Sequence, residues 1–126
     1  MARLHEYQGK AILRQFGIAT PKGGVAATPD EAYALAQEIG AVVVVKAQAW
    51  TTSRAGQNLI QFAETADEAA EIARDLLGRQ VGNFQVEQVM VEERLQIAHE
   101  YYVGVILDDA ARAPLVIFSS MGGSRL

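Results

Sequence analysis

Residues Val42, Val43, Val44 and Val45 form an unbroken β-branched run that ends in Lys46. Branching at Cβ crowds a helix and suits the pleated surface of a strand. A continuous apolar run without alternation predicts a strand covered on both faces. Lys46 stands where that strand finishes, and strand ends in α/β and α+β domains open onto crevices where ligands bind. The segment that follows, Gln48 to Asn58, reads as a polar loop with a single Arg54. Lys46 offers a point charge and Arg54 a bidentate fork, so together they make a phosphate clamp.

The rest of the chain supplies layers to pack around that strand. Its 126 residues suit one domain; half are hydrophobic and 21% are charged, a globular composition. Cysteine is absent, so no disulfide or thiolate metal site forms, and a cytoplasmic setting is the simplest reading. The formal charge of −4 argues against nucleic acid as the main partner. No apolar run approaches a membrane span, and the opening residues, with Arg3, His5 and Glu6, do not form a secretory signal.

Arg3 to Phe16 reads as an amphipathic helix with Leu4, Tyr7, Ala11, Ile12 and Phe16 on its apolar stripe, stopped by Gly17. Pro21, Gly23 and Gly24 precede a short strand at Val25 to Ala27. Thr28-Pro29-Asp30-Glu31 is a helix start, with Thr28 as cap and Pro29 in the first turn; Gly40 ends that helix after Ile39. A strand at Leu59 to Ala63 follows, and Thr65-Ala66-Asp67-Glu68 starts a third helix running to about Leu77. Phe84 to Glu92 reads as one valine-rich strand, Glu92 to Ala98 as a crossing segment. Glu100 to Leu107 and Leu115 to Ser120 form a hairpin around Asp108 to Ala113. The expected fold is α+β: a mixed or antiparallel sheet with about three helices packed on one side of it. Ser119 to Ser124 resembles the start of a glycine loop with nothing after it to use that loop, which suggests a piece of something longer.

Several of these segments together resemble a known family. Leu4-His5-Glu6-Tyr7-Gln8-Gly9-Lys10 resembles the first helix of the succinyl-CoA synthetase β subunit, and Phe16-Gly17-Ile18, Pro21, Thr28 to Ala32 and Val44-Val45-Lys46-Ala47-Gln48 continue in the same order. Val91-Glu92, Glu100 to Gly104 and Ser120-Met121-Gly122-Gly123 follow suit, so the likeness covers the whole chain. The resemblance implies the amino-terminal part of an ATP-grasp domain from an ADP-forming acid–CoA ligase. That family couples nucleotide cleavage to thioester formation through a phosphohistidine on a partner α subunit. It implies that Lys46 contacts nucleotide phosphate and that Ser53, Arg54 and Ala55 cover the phosphates. The backbone from Glu92 to Leu95 would meet the adenine edge, and Glu100 would hold the ribose hydroxyls. ATP or ADP, or GTP in their place, is the implied nucleotide. The implied Mg²⁺ ligands, an Asn and an Asp, fall beyond residue 126, as do most α-subunit contacts, so the isolated chain is expected to be inactive.

Two departures stand out. The family's Gly-Arg-Gly triplet is here Ser53-Arg54-Ala55, which loses the positive-φ freedom with which glycines bring backbone N–H groups onto a phosphate. Trp50 stands where a small or imidazole side chain is usual. These changes keep two other readings open: a non-catalytic module retained for subunit contact, and a ligase for a different acid. His5 and His99 lack a neighbouring nucleophile or ligand cluster and are read as packing or surface residues, and Trp50 as loop packing. An exposed apolar face is expected where a missing half would pack.

Overall fold

A computed structural model describes residues 3–50 and 58–123. The chain divides into two compact units, Met1–Leu95 and Gln96–Leu126. The first contains α1 (Glu6–Gln15), β1 (Gly23–Ala26), α2 (Pro29–Ile39), β2 (Val43–Ala47), β3 (Ile60–Ala63), α3 (Ala66–Leu76), β4 (Gln80–Val81), β5 (Phe84–Gln85) and β6 (Val89–Glu93). The second contains β7 (Tyr102–Asp108) and β8 (Ala113–Ser119).

Local chemistry sets the helix ends. Thr28 Oγ1 accepts from the Glu31 N–H at 3.2 Å, and Thr65 Oγ1 from the Glu68 N–H at 3.1 Å. The two glutamates reach back to the N–H groups of Ala27 and Glu64, each one residue before its cap. Two helix-end donors, and the N–H just ahead of each cap, are thereby met. At the far end of α1, Gly17 takes φ +78°, its N–H donates to Arg14 O and that of Ile18 to Leu13 O. This is a Schellman stop, which needs a left-handed residue at that position.

In the first unit β1, β6, β2 and β3 lie in that order as one fully antiparallel sheet. Side-chain alternation divides it into two faces. Val43, Val45 and Ala47 share one face with Val89, Val91 and Ala63, all buried under α2 and α3. Val44, Lys46, Met90 and Glu92 point the other way, and there Val44 and Met90 are buried too. The valine run is therefore covered on both sides, as its lack of alternation predicted. The sheet's helices are not all on one side, however: α1 reaches the second face through polar contacts, so α2 and α3 alone make the apolar layer. No residue of α1 is buried, and Leu4, Ile12 and Phe16 of the expected stripe are exposed.

The single strand expected at Phe84 to Glu92 is two elements. Gly82, at φ +58°, turns the chain so that Phe84–Gln85 pairs back onto Gln80–Val81. Glycine at the first central position of a two-residue loop allows that reversal. Val86 N–H then bonds Arg79 O, and the sheet strand begins only at Val89.

In the second unit β7 and β8 pair from Tyr102↔Ser119 to Asp108↔Ala113. Asp108 Oδ1 accepts from the N–H groups of Ala110 and Ala111, and Arg112 takes φ +52° to complete the turn. Apolar side chains of this hairpin are exposed on both faces, Val103, Val105, Leu107 and Phe118 on one and Ile106 and Leu115 on the other. Among the described residues no helix is long and apolar enough to cross a membrane.

Candidate functional site

The second face of the first unit's sheet carries four charged side chains in mutual contact. Lys46 comes from β2 and Glu92 from β6, where strand alternation turns both away from the apolar core. Glu6 and Lys10 come from α1; four residues apart, they project from one side of that helix.

Lys46 Nζ donates to Glu92 Oε1 at 2.6 Å and to Glu6 Oε1 at 2.9 Å. Lys10 Nζ donates to both oxygens of Glu92, at 2.8 and 2.9 Å, and lies 3.1 Å from Glu6 Oε1. Glu92 is 3% exposed, so its charge is compensated by direct donors rather than by water. Both lysine side chains keep 18% of their surface exposed. Burial alone would pull the Lys46 amine down, but the hydrogen bonds to Glu92 and Glu6 and the charges of both carboxylates outweigh it and hold its pKa above the ordinary lysine value. The ammonium is therefore charged throughout the physiological range.

Gln48 fixes the end of the strand. Expected at the head of a polar loop, it is in fact buried. Its Oε1 accepts from the Tyr7 N–H at 3.2 Å, its Nε2 donates to Lys46 O at 3.2 Å, and its backbone N–H donates to Gln88 O. A buried carboxamide has to meet such demands, and here doing so ties the first turn of α1 to β2 beside Lys46.

Around that first turn the aromatic residues stack. The His5 ring lies 4.4 Å from Trp50 at 16° and 6.0 Å from Tyr7, while Phe84 meets Trp50 edge-on at 4.9 Å. These geometries suit the quadrupoles of the rings and hold Trp50 as packing. His5, Trp50 and Phe84 line a cavity of about 360 Å³ with Gln48 and Gln88. A smaller cavity of about 180 Å³ lies between α1 and β1, lined by Tyr7, Arg14, Gly23, Met90 and Glu92.

The sequence-based candidates fall as follows. Lys46 and Glu92 come together, in contact. The expected open crevice at the strand end is instead occupied by the carboxylates of Glu6 and Glu92. Ser53, Arg54 and Ala55 lie outside the described residues. The Glu93 N–H bonds Lys22 O and the Arg94 N–H bonds Val42 O, so two donors of the Glu92 to Leu95 backbone are used within the sheet. Leu95 is half exposed at the end of the first unit. Glu100 belongs to the second unit; its carbonyl accepts from the Gly122 N–H, and a Cβ on Gly123 would lie 2.7 Å from its Oε2. Gly123 thus leaves room for that carboxylate. His99 Nε2 donates to Ser120 O and its ring packs on Tyr101, a hairpin-closing role.

Sequence reading missed Glu6 and Lys10. Their i,i+4 spacing is visible in the chain, but nothing local says that they meet β2 and β6. For Mg²⁺ the described residues fit poorly. Among them no three His, Asp or Glu side chains converge, and the carboxylates of Glu6 and Glu92 are already engaged by ammonium groups.

Comparison with known proteins shows the family of the chain. The chain matches the ATP-grasp domain family over residues 3–126. It is 42% identical over 120 residues to the β subunit of a GDP-forming succinate–CoA ligase from Thermus thermophilus, covering 95% of this chain and 32% of that protein. It is 42% identical to an ADP-forming succinate–CoA ligase β subunit of Methanothermobacter thermautotrophicus (96% of this chain, 33% of that one). With an ADP-forming β subunit of Archaeoglobus fulgidus the identity is 45%, over 96% of this chain and 32% of the relative. The chain thus spans about a third of the length of the curated relatives it matches.

Proposed function

Because the chain belongs to the ATP-grasp domain family, we propose that it is the nucleotide-binding portion of a succinate or related acid–CoA ligase β subunit, acting in the cytoplasm. The intact complex, with its α subunit, would convert nucleoside triphosphate, acid and CoA into acyl-CoA, nucleoside diphosphate and phosphate. The observation that carries this reading is the Lys46 ammonium. It is anchored on a buried strand, kept charged by Glu6 and Glu92, and still partly open to solvent. A lysine carries its three N–H donors on a flexible stem, so this ammonium can turn from the carboxylates to a phosphate oxygen.

In this reading Lys46 binds phosphate as a point charge, and Arg54 with the backbone of Ser53 and Ala55 covers it. Leu95 and the backbone leading to it from Glu92 meet the base, and Glu100 accepts from the ribose hydroxyls. The bound nucleotide is ATP or ADP, with GTP or GDP as the alternative that the Thermus relative's name brings into view. Mg²⁺ would neutralise phosphate charge when bound, held by residues beyond position 126.

The second reading, a module retained for subunit contact, has one observation in its favour: both carboxylates already occupy the ammonium. ATP titration into the 126-residue chain, followed by lysine Nζ NMR at millimolar ligand, separates the two. Nucleotide binding predicts a shift of the Lys46 signal and loss of binding in Lys46→Met. A folded chain whose Lys46 signal stays still through the titration refutes it and leaves the contact module.

A further inference from the structure

We infer that Lys10 is a positioning residue that keeps the Glu92 carboxylate in place when Lys46 turns to a phosphate, while Glu6 restrains Lys46 until it does. This rests on the reading of Lys46 as a phosphate ligand and adds the device that lets it serve as one. Glu92 is 3% exposed, and a carboxylate so enclosed is costly to leave without a cation. Lys46 touches only one of its oxygens, Oε1, at 2.6 Å. Lys10 touches both, at 2.8 and 2.9 Å. When Lys46 leaves, each oxygen of Glu92 still has a donor.

The same holds for Glu6. Its Oε1 is shared by Lys46 at 2.9 Å and Lys10 at 3.1 Å, so Lys10 holds both carboxylates. A phosphate oxygen that replaces a carboxylate oxygen on Lys46 exchanges one anionic acceptor for another. Lysine suits the exchange, since its ammonium sits on a flexible four-carbon stem and has no fixed fork geometry. The exposed part of the side chain gives solvent, and hence an anion, a route to it.

The two α1 residues then act in opposite senses on anion binding. Lys10→Met leaves Glu92 dependent on Lys46 and holds Lys46 back. Glu6→Gln removes one competitor for Lys46. If the α1 residues served only to dock the helix, both changes would loosen it and weaken binding together.

The test is ATP titration into the 126-residue chain with lysine Nζ NMR, and Trp50 fluorescence to verify folding of each variant. The expected result is about fivefold weaker binding in Lys10→Met, the scale of one partly exposed charge contact. Lys10→Arg, which restores charge and donors, recovers it, and Glu6→Gln binds more tightly than the parent. Lys22→Met, which removes an equal charge from an exposed position, leaves affinity unchanged. The inference is overturned if Lys10→Met and Glu6→Gln shift affinity in the same direction, if Lys10→Met changes nothing, or if Lys22→Met acts like Lys10→Met. Failure of the underlying reading looks different: ATP then fails to bind the parent chain, or binds Lys46→Met as well as the parent.

Discussion

Replacing Glu92 with glutamine tests the charge network directly. The substitution keeps the shape and one acceptor oxygen but removes the buried negative charge that two ammonium groups face at 2.6 to 2.9 Å. Breaking a fully buried ion pair costs about 3–5 kcal/mol, because the partner is left uncompensated. Here the cost is reduced in three ways: the amide oxygen still accepts, Glu6 still contacts both lysines, and water reaches the exposed part of each ammonium. The expected loss at pH 8 is about 2–3 kcal/mol. With a urea dependence of about 2 kcal/mol per molar, the midpoint falls by about 1 M. Trp50 is the only tryptophan and packs on His5 in the first unit, so its fluorescence reports unfolding of that unit. The pH dependence supplies a second check. Lys46 has a raised pKa in the folded state, so its contribution is complete below the ordinary lysine value of 10.5 and is lost as pH rises through the folded value. Parent stability should therefore fall above about pH 10.5, and the fall should be shallower in Glu92→Gln, where a neutral amide replaces the charged acceptor of the hydrogen bond that does most to raise that pKa. A midpoint within about 0.3 M of the parent, together with parallel alkaline declines, would refute the reasoning.

Gly23→Ala should destabilise the first unit by more than about 3 kcal/mol in urea denaturation, beyond the ordinary range for overpacking. Its new Cβ would sit 2.3 Å from Val91 O and 2.6 Å from Glu92 Cα, backbone atoms that cannot step aside. Gly9→Ala, inside α1 with no atom within 4 Å, should instead gain about 0.5–1 kcal/mol in the same urea titration. Thr28→Ala and Thr65→Ala should each lose about 1 kcal/mol by urea denaturation, with Ser in either place restoring most of it.

Much of the fold was legible in the chain because its signals are short-ranged. Thr28 and Thr65 cap helices because each lies three residues from the N–H it accepts, and Gly17 stops α1 within one turn. Val43 to Val45 declared a strand covered on both faces by composition alone. The split at Val86 to Gln88 was hidden, because a valine-rich stretch looks the same whether it pairs with one neighbour or turns at Gly82 to pair with another. The stripe on α1 was legible too, yet periodicity does not say which surface it meets.

At the candidate site the division is sharper. Lys46 announced itself by ending a strand, and its family resemblance supplied a role. Its partners did not: Glu92 lies 46 residues away along the chain, and Lys10 lies 82 residues from Glu92. The sequence alone determined that a charged amine would be carried at the end of a rigid strand. Only the pairing of β2 with β6, and the laying of α1 across the face opposite the core, decided that this amine would share two carboxylates with a second lysine. Backbone torsions and caps act over a few residues, whereas the energy of an ion pair depends on distance and burial, which no stretch of chain contains until the sheet has closed.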